Sequence, residues 1–147
     1  MKIDIISVVP GLLESPFAHS IMKRAKDKGL LEVNCINLRD YTTYARAQVD
    51  DYQFGGGAGM VMMMEPLVNA IESLQKTTAY DDIIFLTPDG ETFNQKMANH
   101  FSLKKNLLML ILQKSEGIFC CFLNFNQNIP IFLTSHYHKE VQLVLLN

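Results

Sequence analysis

The sequence predicts an α/β fold built on a parallel sheet, because short stretches rich in apolar and β-branched residues alternate with amphipathic stretches. Glycine and proline stand at the junctions between these stretches, where they favour turns. The chain has 147 residues, 48% of them hydrophobic, which fits one domain with a substantial core. Strands that alternate with helices in this way pair in parallel, with helices covering the sheet.

The N-terminal elements have clear boundaries. Lys2 to Val9 predicts the first strand, and Pro10-Gly11 marks its end. Ser15 to Lys28 predicts one helix, because its apolar residues recur at helical spacing while Lys and Arg fill the other face. Gly29 is suited to the helix C-terminus, since glycine readily adopts the left-handed conformation found there.

The same alternation continues through the middle of the chain. The predicted elements are a strand at Leu30 to Leu38, a polar connection at Arg39 to Gln53, a helix at Leu67 to Lys76 with Pro66 in its first turn, a buried strand within Asp81 to Gly90 that ends in a Thr-Pro-Asp-Gly turn, a short helix at Asn94 to Phe101, and a strand at Leu107 to Leu112.

Composition narrows the class of protein. The small formal charge of −2 and the absence of biased tracts argue against general disorder. The weakly acidic total gives no argument for a nucleic-acid partner, although a local basic patch could still bind one. The opening "MKIDIISVVPGLL" lacks the long apolar region of a signal peptide, so a globular cytoplasmic protein is expected. Cys35, Cys120 and Cys121 have neither zinc-site nor disulfide-framework spacing and are expected to be reduced.

Two segments are candidates for a ligand site, because ligands of such sheets bind beyond the carboxyl ends of strands. One is "TPDG", Thr87 to Gly90, and the other is "FGGGAGMVMMMEP", Phe54 to Pro66. Neither has the spacing of a dinucleotide or P-loop fingerprint. Taken alone, the glycines are equally typical of a flexible turn, and the methionines are more typical of core packing.

The combination is more specific than its parts. "VDDYQFGGGAGMVMMMEPL", Val49 to Leu67, closely resembles a segment of the bacterial tRNA (guanine-N1)-methyltransferases. "IDIISVVPGLLE", "KRAKDKGLLEV", "NLRDYT" and "IIFLTPDGETFNQ" resemble other segments of this family, in family order and at family spacing. The resemblance covers roughly the first 107 residues.

This resemblance implies a SPOUT-class fold, a Rossmann-like parallel sheet whose C-terminal part is threaded into a trefoil knot, an exception to the usual rule against knots. It also implies a homodimer and S-adenosylmethionine as the cofactor. The partner would be tRNA, methylated at N1 of the guanine 3′ of the anticodon, position 37.

The resemblance also implies where the cofactor and the substrate bind. The cofactor pocket would be formed by Phe85, Leu86, Thr87, Pro88, Asp89 and Gly90, together with Glu116 and Gly117 of "SEGI". The guanine and tRNA side would include Asp50, Gly55, Gly56, Gly57, Ala58, Gly59 and Met60, where glycines let ligands approach the backbone closely. Asp50 and Asp51 are expected to order the loop rather than to take part in the chemistry.

Basic side chains are candidates for contacts with tRNA phosphate. They are Arg24 and Arg46, with Lys23 and Arg39 as further candidates. A solvated helix face explains Lys23 and Arg24 equally well.

After about residue 107 the resemblance ends. Residues 1–112 are expected to be the N-terminal part of the methyltransferase domain, and residues 113–147 an apolar tail outside the family pattern, with the knot incomplete and the C-terminal tRNA-binding domain absent. The family's catalytic aspartate and arginine have no counterpart, so no catalytic residue is assigned and this chain is expected to be inactive or nearly so.

The tail has two interpretations. We favour out-of-frame or aberrant sequence after a genuine methyltransferase start; the alternative is a replacement module. In that module His136 and His138 could be proposed as metal ligands, but two ligands make a poor site, so no metal is expected. The competing function for the whole chain is a noncatalytic α/β nucleotide-binding or interaction module.

Overall fold

The computed structural model describes residues 1–52, 60–87, 91–111 and 142–146. Its strands and helices are β1 (Lys2–Ser7), α1 (Gly11–Phe17), α2 (Ser20–Asp27), β2 (Glu32–Asn37), β3 (Asp50–Tyr52), β4 (Met60–Met62), α3 (Met64–Thr77), β5 (Asp82–Thr87), β6 (Glu91–Thr92), α4 (Gln95–Ser102), β7 (Asn106–Ile111) and β8 (Gln142–Leu146). Two 3-10 turns, Leu38–Tyr41 and Ala45–Ala47, lie between β2 and β3.

The main sheet has the strand order β2-β1-β7-β5-β8-β6. Strands β2, β1, β7 and β5 are mutually parallel, which confirms the α/β fold and the parallel sheet predicted from the sequence. Strand β8 is antiparallel to both β5 and β6. The sequence did not predict this strand, because it lies in the tail that was treated as outside the fold.

Each sheet face carries its own hydrophobic cluster, because successive side chains of a strand point to opposite faces. In β5, Ile83 and Phe85 belong to one cluster and Ile84 to the other. The larger cluster, termed the hairpin-side cluster below, contains Ile6, Leu38, Val49, Met62, Leu67, Ala70, Ile83, Phe85, Leu108 and Leu110. The smaller cluster joins Ile84 and Leu107 to Met97 and Phe101 of α4.

The single helix predicted at Ser15 to Lys28 is wrong, because the chain forms two helices there. Helix α1 begins at Gly11 and contains Pro16, and α2 begins at Ser20, whose φ of 54° interrupts the helical path. The apolar periodicity runs across the break and conceals it. The C-terminal prediction is confirmed, since Gly29 has a φ of 67°.

The hydrogen bonds after α2 are those of a Schellman motif. The Gly29 N–H donates to the Lys26 carbonyl at 2.9 Å, and the Leu30 N–H donates to the Ala25 carbonyl at 2.9 Å. Both bonds satisfy carbonyls that the helix end would otherwise leave without an intrahelical donor.

The polar connection predicted at Arg39 to Gln53 contains a strand. Strand β3 pairs antiparallel with β4, in the register Asp50 with Met62, Asp51 with Val61 and Tyr52 with Met60. Each strand has three residues, too few for alternation to be recognised in the sequence. The hairpin brackets the glycine run, which lies outside the described residues.

The later helices agree with the sequence prediction. Helix α3 has Pro66 in its first turn, and α4 begins after Asn94, whose side-chain oxygen accepts a hydrogen bond from the Met97 N–H at 3.0 Å. Across residues 1–52, 60–87, 91–111 and 142–146, no helix has the length and apolar character needed to cross a membrane.

Candidate functional site

The carboxyl ends of the four parallel strands lie at one edge of the main sheet. Strands β2, β1, β7 and β5 end there at Asn37, Ser7, Ile111 and Thr87. In open α/β sheets ligands usually bind in the crevice outside the carboxyl ends of the strands. The candidate site therefore lies beyond these four residues.

The β3–β4 hairpin is fixed to the sheet face at its base. Val49, just before β3, is 1% exposed, and Met62, at the end of β4, is 8% exposed. The Met63 N–H donates to the Val49 carbonyl at 2.8 Å and closes the hairpin base. Val49 and Met62 belong to the same hairpin-side cluster as Phe85 of β5. The hairpin base and the second half of β5 therefore share one buried core on one face of the sheet.

Glu65, in the first turn of α3, joins the helix to the segment that precedes the hairpin. Its Oε1 accepts a hydrogen bond from Thr43 Oγ1 at 2.8 Å, and its Oε2 accepts one from the Tyr44 hydroxyl at 2.8 Å. Both bonds lower the pKa of the Glu65 carboxyl, and the bond from Tyr44 has the larger effect. The same bond and the Glu65 charge raise the pKa of the Tyr44 phenol.

The turn from Thr42 to Gln48 is held by several hydrogen bonds of its own. Thr42 Oγ1 donates to the Gln48 carbonyl at 2.6 Å, and Arg39 Nη1 donates to the Ala47 carbonyl at 3.0 Å. Arg46 and Ala47 have φ values of 60° and 54°, in the left-handed region that non-glycine residues seldom adopt. Arg46 is exposed, and it lies in a turn whose backbone is held by these hydrogen bonds.

Comparison with known proteins identifies the family. The family model described as tRNA (Guanine-1)-methyltransferase TrmD matches residues 1–124. The chain belongs to this family. The resemblance predicted from the sequence motifs is therefore confirmed.

Named relatives of the methyltransferase family match the same part of the chain. The tRNA (guanine-N(1)-)-methyltransferases of Flavobacterium johnsoniae and Bacteroides fragilis are 61% and 56% identical over 110 residues, covering 75% of this chain and 49% of each relative. The crystal structure of tRNA (m1G37) methyltransferase from Aquifex aeolicus matches with a TM-score of 0.68 and 29% identity, covering 75% of this chain and 50% of that chain. The chain thus spans about half the length of the curated relatives it matches.

Three of the cofactor residues implied by the methyltransferase resemblance, Phe85, Leu86 and Thr87, form the second half of β5. Phe85 is 8% exposed in the hairpin-side cluster, and Leu86 packs against the cluster on the other face. Thr87 is the last residue of β5. Pro88, Asp89, Gly90, Glu116 and Gly117 lie outside the described residues, as do His136 and His138. The assignment of these positions stays a prediction.

The substrate residues implied by the resemblance are only partly brought together. Asp50 and Met60 occupy the two strands of the hairpin, and Arg46 lies in the turn that leads into it. Gly55, Gly56, Gly57, Ala58 and Gly59 lie outside the described residues.

Arg24 is placed elsewhere. It is exposed on α2, which precedes β2, whereas Arg46 lies in the turn that leads into β3. The two arginines belong to separate elements, so one phosphate contact surface does not follow from the two together.

Glu65, Thr43 and Tyr44 were not singled out from the sequence. The available signal was Glu65 in the first turn of a predicted helix, where acidic residues are favoured by the helix dipole. That signal explains Glu65 without any partner. Its partners lie 21 and 22 residues earlier in the chain, and only the fold shows them.

A second polar cluster lies at the amino ends of the parallel strands, away from their carboxyl ends. The Asp82 carboxylate, 6% exposed, is 3.2 Å from His100 Nε2 and 3.1 Å from Lys104 Nζ. Because Asp82 opens β5, this cluster fastens α4 to the amino end of the strand, far along the strand from Thr87. In the part of the chain that the structure describes, no group of three or more His, Cys, Asp or Glu residues could hold a metal ion.

Proposed function

We propose that this chain is part of a tRNA (guanine-N1)-methyltransferase that binds S-adenosylmethionine and receives the guanine at position 37 of tRNA. One observation carries the proposal: the hairpin that brackets the glycine run and the strand that leads into Thr-Pro-Asp-Gly share one buried cluster on one sheet face. Two segments that would have to form one cavity are thus anchored to one rigid base.

The described residues support an adenosyl group at the end of β5 because they anchor the end of that strand. Phe85 pairs with Leu110 of β7, and both side chains, 8% and 2% exposed, are buried in the hairpin-side cluster. We infer that the polar edge of the adenine bonds backbone groups at the end of this anchored strand. When bound, S-adenosylmethionine supplies an electrophilic methyl group; the chain contributes the anchored strand end and the alignment of the two ligands.

Proton removal from guanine N1 needs an acceptor, and we assign none to this chain. General base catalysis contributes about 10²-fold to 10⁴-fold in typical enzymes. We therefore propose that the chain binds the methyl donor but transfers methyl groups at most very slowly. From the family we also propose that the protein is a cytoplasmic homodimer. The functional residues of the enzyme that are missing from residues 1–112 would lie outside that range.

The test is a calorimetric titration of the full chain with S-adenosylmethionine, followed by a methyl-transfer assay on an unmodified tRNA transcript with guanine at position 37. Adenosine and ATP serve as controls that carry the adenine ring without the sulfonium. We expect saturable binding of S-adenosylmethionine, weaker binding of the controls, and no transfer above background. Absence of binding would defeat the proposed cofactor site, and rapid transfer would defeat the proposed inactivity.

A noncatalytic α/β binding module is the second candidate. It is favoured by the pairing of β8 with β5 through Thr87 and Gln142, a ladder supplied by a segment beyond the residues that the family model matches. Binding of adenosine and ATP as tight as that of S-adenosylmethionine would support the module over the methyltransferase fragment.

A further inference from the structure

We propose that Glu65 is a positioning residue, which fixes the turn carrying Arg46 so that this turn can receive tRNA phosphate. The unit formed by Glu65, Thr43 and Tyr44 is called the Glu65 clamp below. The inference rests on the proposed function for its RNA ligand, whereas the clamp itself can be tested without RNA.

The helix side of the clamp is rigid. Glu65 is followed by Pro66 and Leu67, both buried against the core, so the first turn of α3 is anchored immediately next to it. Its carboxylate uses a different oxygen for each hydroxyl, at 2.8 Å in both cases. Two bonds from adjacent residues to one carboxylate fix the direction of the turn as well as its distance.

The clamp joins the chain before the hairpin to the chain after it. Thr43 and Tyr44 precede β3, and Glu65 follows β4. Two further bonds cross the same junction: the Met63 N–H to the Val49 carbonyl at 2.8 Å, and Asn69 Nδ2 to the Tyr41 carbonyl at 3.3 Å. The clamp is the outermost and most exposed of these links, so it governs the exposed turn and not the buried base.

Arg46 is the cation that this turn offers. It is exposed, two residues after Tyr44, and its backbone is held at a φ of 60°. A free loop would lose conformational entropy on binding phosphate. Because the clamp already orders the turn in the unbound protein, less entropy is lost on binding. The neighbouring Arg39 is already committed to the Ala47 carbonyl at 3.0 Å, which leaves Arg46 as the solvent-facing arginine of the turn.

The direction of the change in tRNA affinity on removal of the Glu65 carboxylate distinguishes positioning from simple electrostatics. Removal of a carboxylate near an RNA surface should strengthen phosphate binding if only electrostatics matter. If Glu65 positions Arg46, its removal should weaken binding instead. Glu72, exposed on the same helix, supplies a matched control, because Glu72→Ala changes the net charge by the same amount.

The first measurement is limited trypsin cleavage of the full chain, with the cut after Arg46 followed by mass spectrometry. Cleavage after the exposed Arg24 of α2 serves as the reference for a site outside the clamp in the same sample. We expect Glu65→Ala to accelerate cleavage after Arg46 by about threefold to tenfold, as expected for loss of two exposed hydrogen bonds to a charged group, with Arg24 unchanged. Glu65→Gln, which retains an acceptor oxygen, should restore part of the protection, and Glu72→Ala should cleave like the parent.

The second measurement is the affinity of the same proteins for an unmodified tRNA transcript at one fixed salt concentration. We expect Glu65→Ala to bind about threefold to tenfold more weakly, by loss of the fixed turn, and Glu72→Ala to bind equally well or slightly better. Unchanged cleavage after Arg46 in Glu65→Ala would overturn the clamp. Faster cleavage with unchanged or tighter tRNA binding would overturn its role in RNA recognition. A parent chain that binds no tRNA would overturn the proposed function and that role together, while protection at Arg46 would still decide the clamp.

Discussion

A buried carboxylate ties three parts of the fold together at the residue scale. Asp4 of β1 is 2% exposed, and its Oδ1 accepts a hydrogen bond from Asn34 Nδ2 of β2 at 2.8 Å. Its Oδ2 accepts a hydrogen bond from the Tyr80 hydroxyl and is 3.3 Å from Lys2 Nζ. A buried charge is tolerated only where partners replace the lost water, so these contacts together stabilise the Asp4 carboxylate.

Tyr80→Phe should therefore destabilise the chain. The change removes one donor from a buried carboxylate, and we expect a loss of about 1–2 kcal/mol in the free energy of unfolding. Chemical denaturation at neutral pH measures it. Tyr52→Phe removes the same hydroxyl at a site that is 82% exposed and should leave stability unchanged. Equal stability of the two variants would contradict the role given to Tyr80.

The same residue predicts a loss of stability in alkali. Burial, and then the bond to Asp4, raise the pKa of the Tyr80 phenol. The folded-state pKa of Tyr80 lies above the unfolded value of about 10. The stability that the Tyr80 hydroxyl contributes is therefore complete below about pH 10 and declines as the pH rises towards the folded pKa. The parent chain should lose more stability than Tyr80→Phe above pH 10. Parallel pH profiles of the two proteins would exclude this linkage.

The Glu65 clamp makes a spectroscopic prediction. The bond to Glu65, and then its charge, raise the pKa of Tyr44, so Glu65→Ala should lower the pKa of that phenol towards its usual range. NMR titration of tyrosine ring carbons, with Tyr44→Phe used to assign the signal, measures the change. The carboxyl pKa is depressed in turn, so the clamp should persist as the pH falls to the usual glutamate range and open only below it. An unaltered Tyr44 titration in Glu65→Ala would refute the contact.

At the scale of elements, the end of α2 depends on one left-handed residue. Gly29 has a φ of 67°, and nothing lies within 4 Å of a Cβ placed there, so substitution meets backbone strain and no steric clash. Gly29→Ala should cost about 1 kcal/mol of unfolding free energy. Gly11→Ala is the control, because that site is equally open but carries no positive φ, and a helical alanine there should be neutral or stabilising. Thermal unfolding of both variants tests the difference.

The elements differ in how far their sequence specifies them. Helix α3 and strands β5 and β7 are long and patterned enough that local sequence predicts them. The β3–β4 hairpin is not, because its three-residue strands are held by Val49 and Met62 in the core and by the closing bond from Met63, all of which depend on the fold. The break before Ser20 was missed for the opposite reason: a helical apolar pattern continues through it.

At the scale of the whole molecule, the sequence identifies the family but not every contact that completes the sheet. The alternation of strands and helices predicted the parallel sheet, and the order of the motifs carried the resemblance to the methyltransferases. Both signals are local, because the glycine and proline positions in them are fixed by local backbone geometry. The outer edge of β5 is different. It is covered by β8 from a segment more than 50 residues later, in the register Phe85 with Val144. Such long-range pairing leaves no local signature.

Strand β8 should protect the sheet from self-association. The pairing of β5 with β8 runs from Ile83 to Thr87, so removal of residues 142–147 leaves that edge of an apolar strand without the partner seen in the structure. Unpaired apolar edges recruit other chains, since their N–H and C=O groups template new ladders. We expect the shortened chain to aggregate at lower concentration and to unfold at lower temperature, as measured by light scattering and circular dichroism.

A chain that ends at Leu146 is the matched control, because it keeps β8 intact and should behave like the parent. A second variant, Val144→Pro, keeps the length of the chain and removes one backbone donor opposite Phe85, so it should fall between the parent and the shortened chain. If the shortened chain remained as monodisperse and as stable as the control, β8 would contribute nothing to the sheet.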